Sequence, residues 1–380
     1  MGFILVINAG SSSLKFKLFD GELAEVASGL AEKISLSGSF LTFKFGDEKN
    51  VVEKLFRNHE SALNEILWLL KEKGVDFCDI KKVGHRVVHG SDKFIAPIIV
   101  TDAVLRELEQ FNDLAPLHNP HNLKVIELTR KILDKATHYA VFDTAFHQTM
   151  PEYAFRYGLP SELYAENKIR RYGFQGLSHE YVTLAAAKKL KKKNPNLIIC
   201  HLGSGASITA VKNGKSVDTS MGFTPLEGLM MMSRSGDIDA GVVFYLAKHG
   251  FTLKKIEDIL NHESGLLGVS GLKDMRDIMM ACGYKIEGYQ APEFAVFERA
   301  RAKLALQMFV YRIKKYIGAY YAILGKVDAL VLTAGIGERN ADVRKLITKG
   351  LPFKMKILVI PTDEERMIAM KIGTGLVTGN

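Results

Sequence analysis

Cysteine is scarce, with Cys78, Cys200 and Cys282 the only three in 380 residues. They stand far apart and form no C-x-x-C pair, which argues against a disulfide framework and a zinc site and fits a reducing compartment. Long hydrophobic runs are missing too. The apolar stretch near the N-terminus is far too short to span a bilayer. It follows no basic region and precedes no cleavage site, and Val6 breaks the myristoylation pattern. The expectation is an unprocessed cytoplasmic chain with no membrane partner. The net charge is +9, but it is dispersed. Its densest run, Lys191-Lys192-Lys193, closes a predicted helix, where lysines complement the dipole. With no aromatic stacking set beside it, nucleic acid is not an expected partner. The familiar phosphate and metal signatures are absent as well: no G-x-x-x-x-G-K-[ST], no G-x-G-x-x-G and no H-E-x-x-H.

What remains is an ordinary globular composition, 47% hydrophobic and 24% charged, long enough for two domains each with its own core. Strand-like apolar segments (Ile4 to Ile7, Tyr139 to Phe142, Leu197 to Cys200, Ala329 to Leu332) alternate with amphipathic helices. The predicted helices run from Ser61 to Lys73, Asp102 to Phe111, Asn119 to Leu133, Ser178 to Lys193 and Glu293 to Leu324. The chain therefore reads as α/β.

One pattern occurs twice. ILVINAGSSSLKFKLFDG from Ile4 and LIICHLGSGASITAVKNGKSVD from Leu197 share the same order. Each has an apolar strand, a polar residue (Asn8 or His201), a Gly/Ser elbow and an alternating return strand. Two such hairpins half a chain apart suggest duplicated domains. A third glycine-rich elbow, in VLTAGIGERN, follows the strand at Val331. Glycine permits close backbone approach, and successive backbone N–H groups with serine hydroxyls make an anion cradle. Elbows at strand ends therefore point to bound phosphate.

The first of these elbows, Asn8-Ala9-Gly10-Ser11-Ser12-Ser13-Leu14-Lys15-Phe16, resembles the N-terminal signature of acetate kinases, in the acetate and sugar kinase/heat-shock/actin superfamily. The resemblance runs nearly end to end, through GHRVVHG (84–90), APLHNPHN (115–122), FDTAFHQTMP (142–151), RRYGFQGLSH (170–179), CHLGSGASI (200–208), DTSMGFTPLEGL (218–229), SRSGDID (233–239), KDMRD (273–277), TAGIGER (333–339) and IPTDEE (360–365). It implies an α/β fold of two ribonuclease-H-like (actin-like ATPase) domains flanking a cleft. One is expected at 1–146 with 366–380, on the acyl and metal side and closed by a C-terminal helix. The other, at 147–365, binds nucleotide. ATP/ADP as co-substrate, Mg2+ (with Mn2+ as an alternative) and a homodimer follow from the same resemblance. The implied reaction is reversible in-line transfer from ATP to acetate, giving acetyl phosphate and ADP, with domain closure excluding water.

The chemistry makes sense of the residues. A carboxylate is already ionised at neutral pH, so its attack on phosphorus needs no general base. It needs two anions neutralised and aligned, which suits arginine. The resemblance assigns Arg86 and Arg234 to that task and Asp143 to Mg2+, its water shell and orientation of the acceptor. Asn8 and Glu364 match metal-associated positions. Lys15 and His201, Leu202, Gly203, Ser204 and Gly205 match phosphate contacts. Asp274, Met275 and Arg276 match the ribose and base region. Gly335, Ile336, Gly337, Glu338 and Arg339 match the adenosine site. Val88, Leu117, Phe174 and Pro225 match the apolar pocket for the acyl methyl group, and His118 a phosphate-facing histidine.

Four positions depart from the pattern. Gln175 stands where GFHG has histidine, Ser204 where HLGNG has asparagine, Arg339 where GIGEN has asparagine, and Met232-Ser233 where Gly-Thr is usual. Gln175 keeps an amide donor but carries no charge. Trading a charged donor for a neutral one weakens transfer by roughly 1–2 kcal/mol, or about ten- to thirty-fold. Met232 crowds the phosphate path, and Arg339 adds a contact to phosphate or base. Acting on propionate or another short acid, using another phosphoryl donor, or binding nucleotide with weakened catalysis are the alternatives left open.

Overall fold

The structure is a computed structural model that describes residues 2–115, 118–290, 292–352 and 354–373. The chain folds as two compact units. The first comprises Met1–Gln148, Gly176–Ser178 and Asp363–Asn380, and the second Thr149–Gln175 and His179–Thr362. The return into the first unit thus begins at Asp363, three residues before the expected 366.

Among the described residues the first unit is built on eight strands: β1 (Phe3–Ala9), β2 (Leu14–Phe19), β3 (Glu25–Glu32), β4 (Phe40–Phe45), β5 (Glu48–Glu53), β6 (Ile80–Val87), β7 (Ile98–Ile99) and β8 (Thr137–Phe142). They lie in the order β5-β4-β3-β2-β1-β6-β8-β7. β1 to β5 form an antiparallel meander, while β6 and β8 run parallel to β1. The alternation at 14–18 is that of a strand with one buried face: Leu14, Phe16 and Leu18 are buried, with Lys15 and Lys17 between them. Helix His59–Glu72 covers that core with Leu63, Ile66, Leu67 and Leu70. It starts at an Asn58/Ser61 capping box and gives way to Gly74, at φ +86°.

The second unit carries β9 (Leu197–Leu202), β10 (Ala206–Lys212), β11 (Lys215–Thr219), β12 (Ala329–Thr333) and β13 (Lys356–Val359), in the order β11-β10-β9-β12-β13. β9 and β12 are buried at every residue, as continuous apolar runs in a covered sheet should be. The long helix Val296–Leu324 packs on β9 and β10 with Ala302, Ala305, Leu306 and Phe309 among its buried residues. Each unit repeats one plan: three antiparallel strands, then two parallel to the first. This is the ribonuclease-H-like arrangement, occurring twice. Both repeated motifs form hairpins, Ala9 pairing with Leu14 and Leu202 with Ala206 across their elbows. The third elbow differs, because β12 runs straight into the short helix Ala334–Arg339.

Candidate functional site

Parallel pairing brings the ends of β1, β6 and β8 together, and three polar side chains gather there. Arg86, one residue from the end of β6, is their hub. Its Nη2 donates to Asp143 Oδ2 at 2.7 Å and its Nη1 to Asn8 Oδ1 at 3.1 Å, while its Nε lies 3.9 Å from Glu364 Oε2. Burial opposes the guanidinium charge, but Asp143 and Glu364 outweigh it and hold the pKa above the ordinary arginine value. Asp143 is 1% exposed. Its backbone O accepts from Gly176 N at 2.8 Å, and a β-carbon on Gly176 would sit 2.3 Å from that oxygen, so only glycine fits.

The helix Glu364–Gly373 supplies two further carboxylates. Burial, together with the charges of Asp143 and Glu365, pushes the Glu364 carboxyl up to about 7 against the pull of Arg86. Glu365, fully buried, accepts from Asn8 Nδ2 at 3.1 Å and Lys15 Nζ at 2.6 Å. Lys15, expected on phosphate, is therefore ion-paired to Glu365. Among the described residues no three His, Cys, Asp or Glu side chains form a metal cage. The crowded carboxylates, one of them reluctant to ionise, nevertheless make a hard-oxygen site short of positive charge. Such a site suits Mg2+ held through a few ligands and its own waters.

In the second unit a separate cluster is built around the β9–β10 elbow. A β-carbon on Gly205 would lie 3.2 Å from Gln175 Nε2 and 3.9 Å from Arg234 Nη1. An amide and a guanidinium thus share the space over the elbow. Arg234 pairs with no carboxylate among the described residues; the contact of its guanidinium is Met231 Sδ, 3.9 Å from Nη1. Burial lowers its pKa from the usual arginine value. Gln175 stands in the left-handed region at φ +58°, ψ +25°, just before helix Gly176–Leu190.

A cavity of about 710 Å³ beside the elbow is lined by Gly203, Ser204, Asp274, Met275, Arg276, Gly335, Ile336 and Arg339. Met232 and two lysines that the sequence reading did not select, Lys273 and Lys285, line it too. Met232 N donates to Ser204 O at 3.1 Å, so two of the departing positions are hydrogen-bonded neighbours. Asp274 caps its helix by accepting from Arg276 N at 2.7 Å and pairs with the same residue's guanidinium, which lies 4.2 Å from the centre of the Tyr289 ring. His201, Leu202, Gly205, Gly337 and Glu338 do not line this cavity. His201 and Leu202 are buried in β9. Glu338 turns to the backbone, accepting from Ala334 N at 2.7 Å and Thr362 N at 3.0 Å.

Of the expected acyl pocket, Val88 is buried in the first unit, with its N–H donated to Asn122 Oδ1. Phe174 is buried and Pro225 half-buried in the second unit. Leu117 lies outside the described residues. His118 is the N-cap of helix Asn119–Ile132. A residue missed in the sequence ties part of this region together. Arg171 donates to the carbonyls of Thr219, Ser220 and Met221 at 3.0, 3.1 and 3.2 Å and pairs with Glu227, which also accepts from Tyr157. Segment 171–175 is thereby anchored to the loop that carries Pro225. The doubled arginine in RRYGF was the available signal.

The chain matches the model described as "Acetokinase family" over residues 3–378. It is 46% identical to acetate kinase of Caldanaerobacter subterraneus subsp. tengcongensis, covering 96% of this chain and 97% of that protein. Among solved structures, Porphyromonas gingivalis acetate kinase superposes with a TM-score of 0.87 at 40% identity, covering 98% of this chain and 99% of that one. A propionate kinase from Francisella tularensis superposes at 0.89 with 38% identity and the same coverage.

Proposed function

The chain belongs to the acetokinase family, and from that premise we propose that it is an acetate kinase, transferring the γ-phosphoryl group of ATP to acetate, reversibly, to give acetyl phosphate and ADP. The observation that carries this reading is Arg234, a half-buried guanidinium with no carboxylate partner among the described residues, beside a glycine elbow. A partly desolvated guanidinium without a counterion favours an anion, and phosphate meets that need through bidentate hydrogen bonds.

The acceptor arrives ionised, so no residue has to remove a proton from it. Asp143 then acts on Arg86: the 2.7 Å bond fixes the guanidinium plane, leaving the arginine to orient the acceptor carboxylate. Val88, buried in the first unit, excludes water from the acyl methyl group. Gln175 Nε2 and Arg234 meet the charge that builds on the transferring phosphoryl oxygens. Asn8, Asp143 and Glu364 would hold Mg2+, which when bound neutralises phosphate charge. Gly203, Ser204, Asp274 to Arg276, Gly335, Ile336 and Arg339 take the nucleotide, with Lys273 and Lys285 adding positive charge to the cavity wall.

A cytoplasmic homodimer completes the proposal. Helix Ala240–Lys248 buries none of its own residues and exposes Val242, Phe244 and Tyr245. A surface that apolar suits a partner. Acetyl phosphate trapped with hydroxylamine tests the activity. Acetate, ATP and Mg2+ should give hydroxamate, and Arg86→Ala or Arg234→Ala should lower kcat by about 10²- to 10³-fold. No product from the wild type, or both variants at wild-type rate, overturns the reading.

A further inference from the structure

Gln175 is where this chain departs from its family's histidine, and an amide brings a problem that imidazole lacks. Its two ends are nearly isosteric, but one donates and the other accepts. Turned by 180°, it would set a carbonyl oxygen against an anion. Resting on the reading above, we propose that Ser207, on β10, is a positioning residue that holds the donor end of the Gln175 amide toward the phosphoryl site.

Ser207 Oγ donates to Gln175 Oε1 at 2.6 Å. A hydroxyl has one proton, so with that proton given to Gln175 its oxygen accepts from His179 Nε2, 2.7 Å away. Ser207 and His179 are both fully buried, which keeps water from substituting for either bond. His179 is in turn tied to the residue it serves, its N donating to Gln175 O at 3.0 Å. The left-handed backbone at Gln175 fixes where the side chain starts, and the Ser207 bond fixes where the amide oxygen ends. Nε2 is left over Gly205, in the space shared with Arg234 Nη1. Imidazole at 175 would need no such selection, because both its ring nitrogens can donate when it is charged. Glutamine needs the serine.

The test uses full-length protein and the variants Ser207→Ala, Ser207→Thr, Gln175→Ala and the Ser207→Ala/Gln175→Ala double. Ser207→Ala should lower kcat roughly five- to ten-fold, the effect of one orienting hydrogen bond. KM for acetate and ATP should hold, Ser207→Thr should restore the rate, and the double variant should match Gln175→Ala. A second readout does not depend on turnover. With 15N-labelled glutamine, the side-chain amide signal missing in Gln175→Ala should shift and exchange faster with water in Ser207→Ala, and return in Ser207→Thr. An unmoved amide signal, or additive losses of kcat in the double variant, overturns the proposal. A wild type without acetyl phosphate but with the expected amide response would count against the kinase reading and for the role of Ser207.

Discussion

A single absent methyl group holds Asp143 in place. Because a β-carbon at Gly176 would meet Asp143 O at 2.3 Å, Gly176→Ala has to push the strand-end loop away. That overpacking should cost about 1–3 kcal/mol. Thermal denaturation should show a lower Tm, and kcat should fall further than in Gly335→Ala, where a β-carbon meets nothing within 4 Å. Gln175→His restores a donor that can carry charge, and kcat should rise roughly ten-fold if charge alone separates the two side chains. Asn8, Arg86, Asp143 and Arg234 were legible in the sequence because each sits in a short motif with local grammar. The bonds that hold them were not. Nothing near Lys15 announces Glu365, which is 350 residues away, and nothing near Gln175 announces Ser207.

At the scale of elements, alternation and glycine punctuation exposed the two hairpins and the helices, with ends displaced by a few residues where capping decides. Helix Ser61 to Lys73 in fact starts at His59, because Asn58 caps it. Strands β3 to β5 escaped notice: Glu25–Glu32 and Glu48–Glu53 carry few fully buried residues, so apolar runs do not mark them. The return at Asp363 is sealed by Lys17, whose Nζ lies 2.9 Å from both Asp363 Oδ2 and Glu25 Oε2. Burial opposes the Lys17 charge, but these partners outweigh it and raise its pKa; burial likewise opposes the Glu25 charge, yet Lys17 holds its pKa below the carboxylate norm. A depressed carboxyl stabilises the fold above its unfolded value of 4.5, and that gain fades as the pH falls through its folded value. Lys17→Met should therefore cost about 1.5–3 kcal/mol at pH 7. In urea titrations across pH the gap to wild type should narrow below about pH 4.5, where Glu25 begins to protonate in the unfolded chain. A gap constant from pH 7 to pH 3 would show that packing, not charge, holds the return.

For the whole molecule, the duplicated hairpin was the strongest clue that one plan occurs twice, and β3-β2-β1-β6-β8 in the first sheet have the same order as β11-β10-β9-β12-β13 in the second. Association is the property to test at this scale. Phe244 is 65% exposed on a helix with no buried residue of its own, so Phe244→Glu should convert a dimer to monomers in light scattering while leaving the Tm nearly unchanged. Retained mass would place the contact elsewhere. The pairing of Asn8 and Lys15 with Glu365 has one more consequence, for biosynthesis. The first hairpin leaves the ribosome early, but the carboxylate that pairs with its Asn8 and Lys15 is translated some 350 residues later. Through most of translation, then, the opening elbow waits without its counter-charges. A product cut off before residue 363 would lack Glu364 and Glu365 while carrying the whole second unit, so on the proposed reading such a fragment should bind nucleotide without transferring its phosphoryl group.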